Sequence, residues 1–150
     1  MAESFIIISG VPGTGKTTFS KWLSEHHGYI HHEVDFRELP THDLLEDQKI
    51  VIDWGFPANE PQLSRALRQI GDWKASGAEL WWFDGDREEA LKYFTQRGTV
   101  SRSAWNYQMK GMKKNWEKIQ SFVGGRSILT VCPSGHLTNE EIYEEMISGR

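Results

Sequence analysis

The chain has 150 residues, the size of one domain, and a domain of this size can bury a core without disulfide bonds. Charged residues make up 25% of the chain, hydrophobic residues make up 38%, and the formal net charge is −4. Proteins that grip a nucleic-acid backbone usually carry a basic excess. The balance therefore disfavours a polymeric nucleic acid and favours a small anionic ligand.

The composition also bears on where the protein works. No apolar run reaches the roughly 20 residues that span a bilayer, and residues 1–5 lack the basic start of a signal peptide. Cys132 is the single cysteine, so no internal disulfide can form. We therefore expect a cytoplasmic protein without a membrane partner. The sequence leaves the oligomeric state open.

Short apolar runs alternate with longer amphipathic ones along the chain. Strands are predicted at residues 5–8, 29–35, 50–52, 80–83 and 127–131. Helices are predicted at residues 17–27, 61–75, from 86 towards 98, as one long helix over 105–119, and after a capping box at Thr138 and Glu141. This alternation predicts an α/β fold, a three-layer sandwich with a five-stranded parallel sheet covered by helices on both faces.

Ligands bind such sheets outside the carboxyl ends of the strands. The candidate site residues are therefore those that directly follow the predicted strands. They are the glycine-rich loop at 10–17, Asp35, Asp53, Asp84 and the turn at 133–135.

The glycine-rich loop is the most specific signal in the chain. Its sequence, GVPGTGKT, fits G-x-x-x-x-G-K-[ST] at every fixed position and lies between a predicted buried strand and a helix. Glycines let backbone N–H groups turn inward around phosphate oxygens, and the helix amino end adds positive potential. The motif predicts an ATP-binding P-loop in which Lys16 reaches the β- and γ-phosphates and the Thr17 hydroxyl holds Mg²⁺. The residues predicted to bind the nucleotide here are Gly10, Val11, Pro12, Gly13, Thr14, Gly15, Lys16, Thr17 and Thr18.

The chain around this loop resembles the small P-loop kinases, among them gluconate, shikimate and adenylylsulfate kinases and the polynucleotide 5′-kinase domain. An N-K-x-D stretch, with which GTPases read guanine, is missing from the sequence. The resemblance implies a single kinase-like domain over residues 1–150 with a short lid near residues 97–104. It also implies that ATP and Mg²⁺ are bound and that the γ-phosphoryl group passes to a hydroxyl of a small-molecule acceptor.

The resemblance further assigns a metal residue and a pocket wall. KIVIDWGF, residues 49–56, is similar to the Walker B segment of these kinases, which makes Asp53 the carboxylate of the Mg²⁺ site. Trp54 and Phe56 follow at the ligand-facing end of the same strand. We expect them to wall the acceptor pocket.

A second segment supplies the candidate base. HEVDFRE, residues 32–38, resembles the place where these kinases hold an acid near the acceptor hydroxyl. Asp35 is therefore the candidate general base, and Arg37 is expected to clamp an anionic group of the acceptor. Glu33 and Glu38 compete with Asp35 for the role of base.

The predicted lid region supplies the arginines. FDGDREEALKYFTQRG, residues 83–98, resembles the fourth strand, helix and lid entry of the family, and Arg97 matches its lid arginine. Arg97 and Arg102 flank a short loop, and one of them is expected to stabilise charge on the transferred phosphoryl group. The family often carries another arginine at the position that is Tyr93 here.

Two further expectations complete the sequence-based picture. The turn containing Pro133 and Gly135 resembles the segment that backs the adenine in these kinases.

The absence of the family's arginine at position 93, where this chain has Tyr93, is compatible with an alternative function, an ATP-dependent switch or ATPase without a small-molecule acceptor. A polynucleotide or nucleoside 5′-hydroxyl kinase is a further alternative, which the acidic balance disfavours. The sequence does not identify the acceptor.

Overall fold

A computed structural model describes residues 5–35, 48–96, 102–123 and 126–149. Its strands are β1 (Phe5–Gly10), β2 (Ile30–Val34), β3 (Ile50–Trp54), β4 (Glu79–Gly85), β5 (Ser127–Cys132) and β6 (Gly135–His136). Its helices are α1 (Lys16–His27), α2 (Gln62–Ala75), α3 (Arg87–Gln96), α4 (Arg102–Lys114), α5 (Trp116–Val123) and α6 (Asn139–Ser148). Within these ranges, every helix is too short or too polar to cross a bilayer.

The described strands form one six-stranded sheet in the order β2-β3-β1-β4-β5-β6. Strands β1 to β5 pair in parallel, which confirms the predicted α/β fold. The sequence predicts five strands, but the described sheet has six. The sixth strand forms because the chain folds back after β5 and pairs Cys132 with Gly135 in an antiparallel hairpin. Since β1 lies between β3 and β4, the loop that follows it emerges at the centre of the sheet, where ligands bind in folds of this class.

The apolar residues of β1 serve two separate cores, one on each face of the sheet. Phe5 and Ile7 pack into the core on one face with α2 and α5 residues, among them Leu63, Ile70 and Ile119. Ile6 and Ile8 pack into the core on the other face with α1 and α6 residues, among them Phe19, Leu23 and Ile142. Burying each isoleucine contributes about 1.5–3 kcal/mol. This two-sided burial explains why the run shows no alternation of polar residues.

The long helix predicted over residues 105–119 is in fact two helices, α4 and α5, separated by Asn115. The Asn115 Nδ2 atom donates to the carbonyl oxygens of Gly111 at 3.1 Å and Ala58 at 3.0 Å. An asparagine that bonds backbone carbonyls in this way competes with helical hydrogen bonding. The apolar stripe nevertheless continues across the break, because Met112, Trp116 and Ile119 all contact the same core.

The amino end of α6 carries the predicted capping box. Thr138 Oγ1 accepts from the Glu141 N–H at 3.1 Å, and Glu141 Oε1 accepts from the Thr138 N–H at 3.0 Å. The hydrogen bond from the Thr138 backbone, with a smaller effect of its side chain, lowers the pKa of Glu141 below its ordinary value of 4.5. A carboxylate with a lowered folded pKa stabilises the protein above its unfolded pKa and loses that contribution as pH falls through the folded pKa.

We predict that Glu141→Ala destabilises the protein at pH 7 and that the stability gap to wild type closes as pH falls from about 5 towards 3. Urea unfolding of both proteins across this range measures the gap. Thr138→Ala removes the cap itself and should cost about 1 kcal/mol at pH 7. Glu144→Ala, at an exposed glutamate of the same helix, is the matched control. A gap for Glu141→Ala that does not change with pH would contradict the prediction.

Candidate active site

The loop between β1 and α1 is shaped by glycines that no other residue can replace. Gly10 and Gly13 have φ angles of 131° and 78°. A Cβ atom added to Gly10 would lie 2.2 Å from the carbonyl oxygen of Phe83, and one added to Gly13 would lie 2.1 Å from that of Ala90. Because both neighbours are backbone atoms, they cannot move aside. The glycines thus bring the loop directly against β4 and α3 and leave a cradle of backbone at the amino end of α1.

Two side chains of the motif hold the loop together. Lys16 Nζ donates to the carbonyl oxygen of Val11 at 2.9 Å, and Thr14 Oγ1 donates to the same oxygen at 2.6 Å. Lys16 is the first residue of α1 and is 8% exposed. The ammonium group therefore lies across the loop at a helix amino end, where both the charge and the helix dipole favour an anion.

Contacts from β5 and β6 fix the far side of the loop. Thr130 Oγ1 donates to the carbonyl oxygen of Thr14 at 2.8 Å, and His136 Nε2 lies 3.0 Å from the carbonyl oxygen of Gly13. The ring of Tyr93 packs edge-on against His136 with centroids 3.9 Å apart. These contacts give two loop carbonyls a hydrogen-bond partner, so the loop is held from both sides.

Asp53 ends up beside the loop because β3 is the neighbour of β1. It lies opposite Ile8 of β1 in the sheet register and is 3% exposed. Its Oδ2 atom lies 3.4 Å from Nε2 of His31 on β2. The Thr17 hydroxyl and the Asp53 carboxylate line the same cavity, and such oxygen atoms are the ligands that Mg²⁺ prefers. The donor set therefore fits the predicted metal.

This cavity also reaches the end of β2, and we call it the acceptor cavity after the role that we propose for it below. Lys16 and Thr17 form part of its wall, together with Asp35 and the aromatic rings of Phe56 and Phe94. A phosphate-binding loop and a carboxylate that follows a neighbouring strand thus share one space. That arrangement can hold two reactants side by side.

A second cavity lies beside the same loop. We call it the base cavity after the nucleobase that we propose for it below, not after the general base. Gly15 and Thr18 line it, with Tyr93, His136 and Asn139 on the opposite wall. The predicted adenine contacts Pro133 and Gly135 are not among the residues that line this cavity, although the β5–β6 hairpin that contains them carries His136 up to the loop. On this side, the cavity is lined by His136, Leu137 and Asn139, which follow the turn in sequence.

The family of the chain follows from its sequence. The sequence model of the AAA domain family matches residues 6–100, which is more than half of the chain. The chain belongs to the AAA domain family. No curated protein matches the sequence significantly.

Two solved structures share the fold of this AAA domain. A gluconokinase from Sinorhizobium meliloti 1021 aligns with a TM-score of 0.56 and 17% identity, over 99% of this chain and 91% of that one. The shikimate kinase from Acinetobacter baumannii in complex with shikimate aligns with a TM-score of 0.58 and 14% identity, over 99% of this chain and 96% of that one. At such identities the likeness concerns the fold, and it confirms the resemblance to small P-loop kinases at that level.

The structure places Trp54 in the core of the AAA domain, whereas Phe56 lines the acceptor cavity. Trp54 is fully buried among core residues, and its carbonyl oxygen accepts from Ser9 Oγ at 2.7 Å. Successive side chains of a strand point to opposite faces of the sheet, so the residue next to Asp53 faces away from it. Of the two predicted wall residues, only Phe56 is found at the cavity.

Asp84, near the carboxyl end of β4, differs from Asp53 in its surroundings. The Asp84 carboxylate accepts from Nε and Nη2 of Arg87, both at 3.1 Å, and from Nε1 of Trp82 at 3.2 Å. Its Oδ1 atom also accepts from the Gly85 N–H at 2.9 Å. Local partners therefore occupy Asp84, and it stabilises the turn into α3.

The predicted arginines are only partly covered by the structure. Arg102 is the exposed first residue of α4, whose Ala104 lines the acceptor cavity. Arg37 and Arg97 lie outside the described residues, as does most of the predicted lid.

We predict that Lys16→Met weakens the binding of nucleoside triphosphates by about 10- to 100-fold, because a charged hydrogen bond to phosphate is lost. Calorimetric titration with ATP and Mg²⁺ measures the change. Lys21→Met, at an exposed lysine of the same helix, is the matched control. Equal ATP affinity in Lys16→Met and wild type would remove the lysine from the phosphate site, provided that circular dichroism shows both proteins folded.

Proposed function

We propose that this AAA domain is an ATP-dependent kinase that transfers the γ-phosphoryl group to a hydroxyl of a small-molecule acceptor. The observation that carries the proposal is the acceptor cavity, in which Lys16 and Thr17 share a wall with Asp35. A phosphate loop alone suits any nucleotide-binding protein. A carboxylate in the same cavity adds a base for a second substrate. The names of the two structural neighbours, a gluconokinase and a shikimate kinase bound to shikimate, support a small acceptor.

The residues around the loop fit a triphosphate with its metal. The cradle of the P-loop and the amino end of α1 suit the phosphate oxygens, and Lys16 adds a positive charge there. Thr17 and Asp53 are the residues that would hold Mg²⁺. When bound, Mg²⁺ neutralises charge on the phosphates. The base cavity, with Tyr93 and His136 on its wall, is the place we propose for the nucleobase, and the turn at Pro133 and Gly135 directly precedes His136 on the same hairpin.

Asp35 is the group that we propose takes the proton of the acceptor. As the acceptor oxygen bonds to the γ-phosphorus, its O–H bond breaks, the proton passes to the Asp35 carboxylate, and ADP leaves. Such base catalysis is worth roughly 10²–10⁴-fold in rate. Glu33 also lines the cavity and lies two residues earlier on β2, so it is the nearest competitor for the role.

Cationic side chains near the transferred phosphoryl group complete the proposal. Lys16 lies within the loop, and we propose that Arg97 or Arg102 stabilises the charge that develops on the phosphoryl oxygens. Arg102 begins the helix that forms one wall of the acceptor cavity, which supports its role. Arg37 follows Asp35 closely in sequence and remains proposed as an acceptor contact.

We predict that Asp35→Asn lowers acceptor-dependent ATP consumption by about 10²–10⁴-fold, because the amide cannot take a proton. ATP affinity should change by less than about threefold, since the phosphate loop is untouched. The measurement is ADP release with ATP and Mg²⁺, with and without a panel of hydroxyl metabolites and oligonucleotides.

Glu33→Gln is the matched control for this experiment, because it neutralises the other carboxylate of β2 that lines the cavity. A loss confined to Glu33→Gln would transfer the role of base to that residue. ATP consumption that no hydroxyl compound stimulates in wild type would contradict the kinase and favour an ATP-dependent switch.

A further inference from the structure

Gln108 is a buried amide in the wall of the acceptor cavity. It lies on α4, is 5% exposed, and lines the same cavity as Lys16 and Asp35. Neither its Oε1 atom nor its Nε2 atom has a hydrogen-bond partner among the described residues. An amide has two donor hydrogens and an acceptor oxygen to satisfy. Within the part of the chain that the structure describes, both amide atoms of Gln108 are therefore buried without a hydrogen-bond partner, in a side chain that lines the site.

The position of Gln108 on its helix is one that an apolar residue would normally fill. Trp105 and Met112, one turn before and one turn after it, are buried in the core. A buried amide without a partner destabilises a fold, whereas an apolar side chain of similar volume at that position would not. A polar group that conflicts with the helix pattern in this way is expected where a ligand completes the hydrogen bonds.

The amide selects for a particular chemistry in its partner. Its Nε2 donates and its Oε1 accepts, so both atoms are satisfied by a group that offers a donor and an acceptor side by side. A vicinal diol and a carboxamide edge, such as that of a nucleobase, both do so. A carboxylate accepts only, so it would leave Oε1 without a partner.

The charges of the cavity wall also disfavour a carboxylate ligand. Glu33, Asp35 and Asp53 all line the cavity, and Lys16 is the cation among its described lining residues. In the proposed kinase, Lys16 faces the nucleotide phosphates. With Asp53 assigned to Mg²⁺, the carboxylates of Glu33 and Asp35 at the end of β2 repel an anion placed beside them.

We propose that Gln108 recognises the phosphoryl acceptor and that the acceptor is an uncharged hydroxyl compound that presents an adjacent donor and acceptor. This inference rests on the proposed function, because it assigns the substrate class of the same cavity. Gln108 holds the acceptor by paired hydrogen bonds, while Phe56 and Phe94 provide the apolar part of the wall.

Calorimetric titration of the whole protein with Mg²⁺ and ADP present tests the inference without turnover. The uncharged probes are polyols, including sorbitol, and nucleosides, including thymidine. The anionic probes are gluconate and shikimate. Sorbitol and gluconate differ only at one terminal carbon, so they isolate the effect of the carboxylate. Sorbitol offers vicinal diols, and thymidine offers an imide edge without a vicinal diol, so these two arms distinguish the sources of the paired hydrogen bonds.

We expect at least one uncharged probe to bind wild type about tenfold or more tightly than either anionic probe. Gln108→Met should weaken that binding at least about tenfold, because the paired hydrogen bonds are lost. ADP affinity should stay within about twofold, since the P-loop is untouched. The melting temperature of the ligand-free variant should equal or exceed that of wild type, because a buried unpaired amide is removed. Gln120→Met, the same change at an exposed glutamine of α5, should alter neither affinity.

Three results would overturn the inference. The first is that no uncharged probe binds wild type, or that gluconate binds more tightly than sorbitol. The second is that Gln108→Met binds its probe as wild type does. The third is that acceptor and ADP affinities fall together in Gln108→Met while its melting temperature drops, which would mark Gln108 as a structural residue.

The failure of the proposed kinase has a different signature. If a probe binds in a Gln108-dependent manner but receives no phosphoryl group from ATP, the kinase is refuted while the recognition by Gln108 stands. If the probe is phosphorylated equally well by wild type and Gln108→Met, the kinase stands and Gln108 has no part in recognition.

Discussion

The close approach of the first loop to its neighbours is the constraint on which the site depends. Gly10 lies against the backbone of β4 and Gly13 against that of α3, at distances that exclude any side chain. Because β1 is buried on both faces, the loop starts from a firmly packed strand.

The order of the strands decides which polar groups meet this loop. With β3 directly beside β1 and β2 next to it, the carboxylates of Asp53 and Asp35 arrive at one side of the loop. On the other side, β4 carries Asp84 next to its last residue, and Arg87 and Trp82 donate hydrogen bonds to this carboxylate. Asp84 is therefore held by neighbours in its own turn, whereas Asp35 and Asp53 line the acceptor cavity.

Features with a local signature could be predicted from the sequence, and features that arise from packing could not. The loop follows from a fixed spacing and the buried strand before it from a continuous apolar run, whereas Asp53 follows from its place after an apolar strand and from a resemblance to the Walker B segment. In the structure, Asp53 lines the same cavity as the end of the loop. The break at Asn115 and the burial of Trp54 depend on side-chain hydrogen bonding and on which face a strand residue takes. Gln108 and His136 had no local pattern to reveal them, since helix α4 and the β6 hairpin reach the loop only through the tertiary fold.

The hydrogen bond between Lys16 and the carbonyl of Val11 has a consequence for how an anion enters the loop. The Lys16 side chain is buried, and its ammonium group already has a hydrogen-bond acceptor in the Val11 carbonyl oxygen. A phosphate bound as proposed would therefore replace one oxygen partner of Lys16 by another, and the Thr14 hydroxyl would still donate to the Val11 carbonyl. In the proposed binding mode, the lysine thus exchanges one hydrogen-bond partner for another.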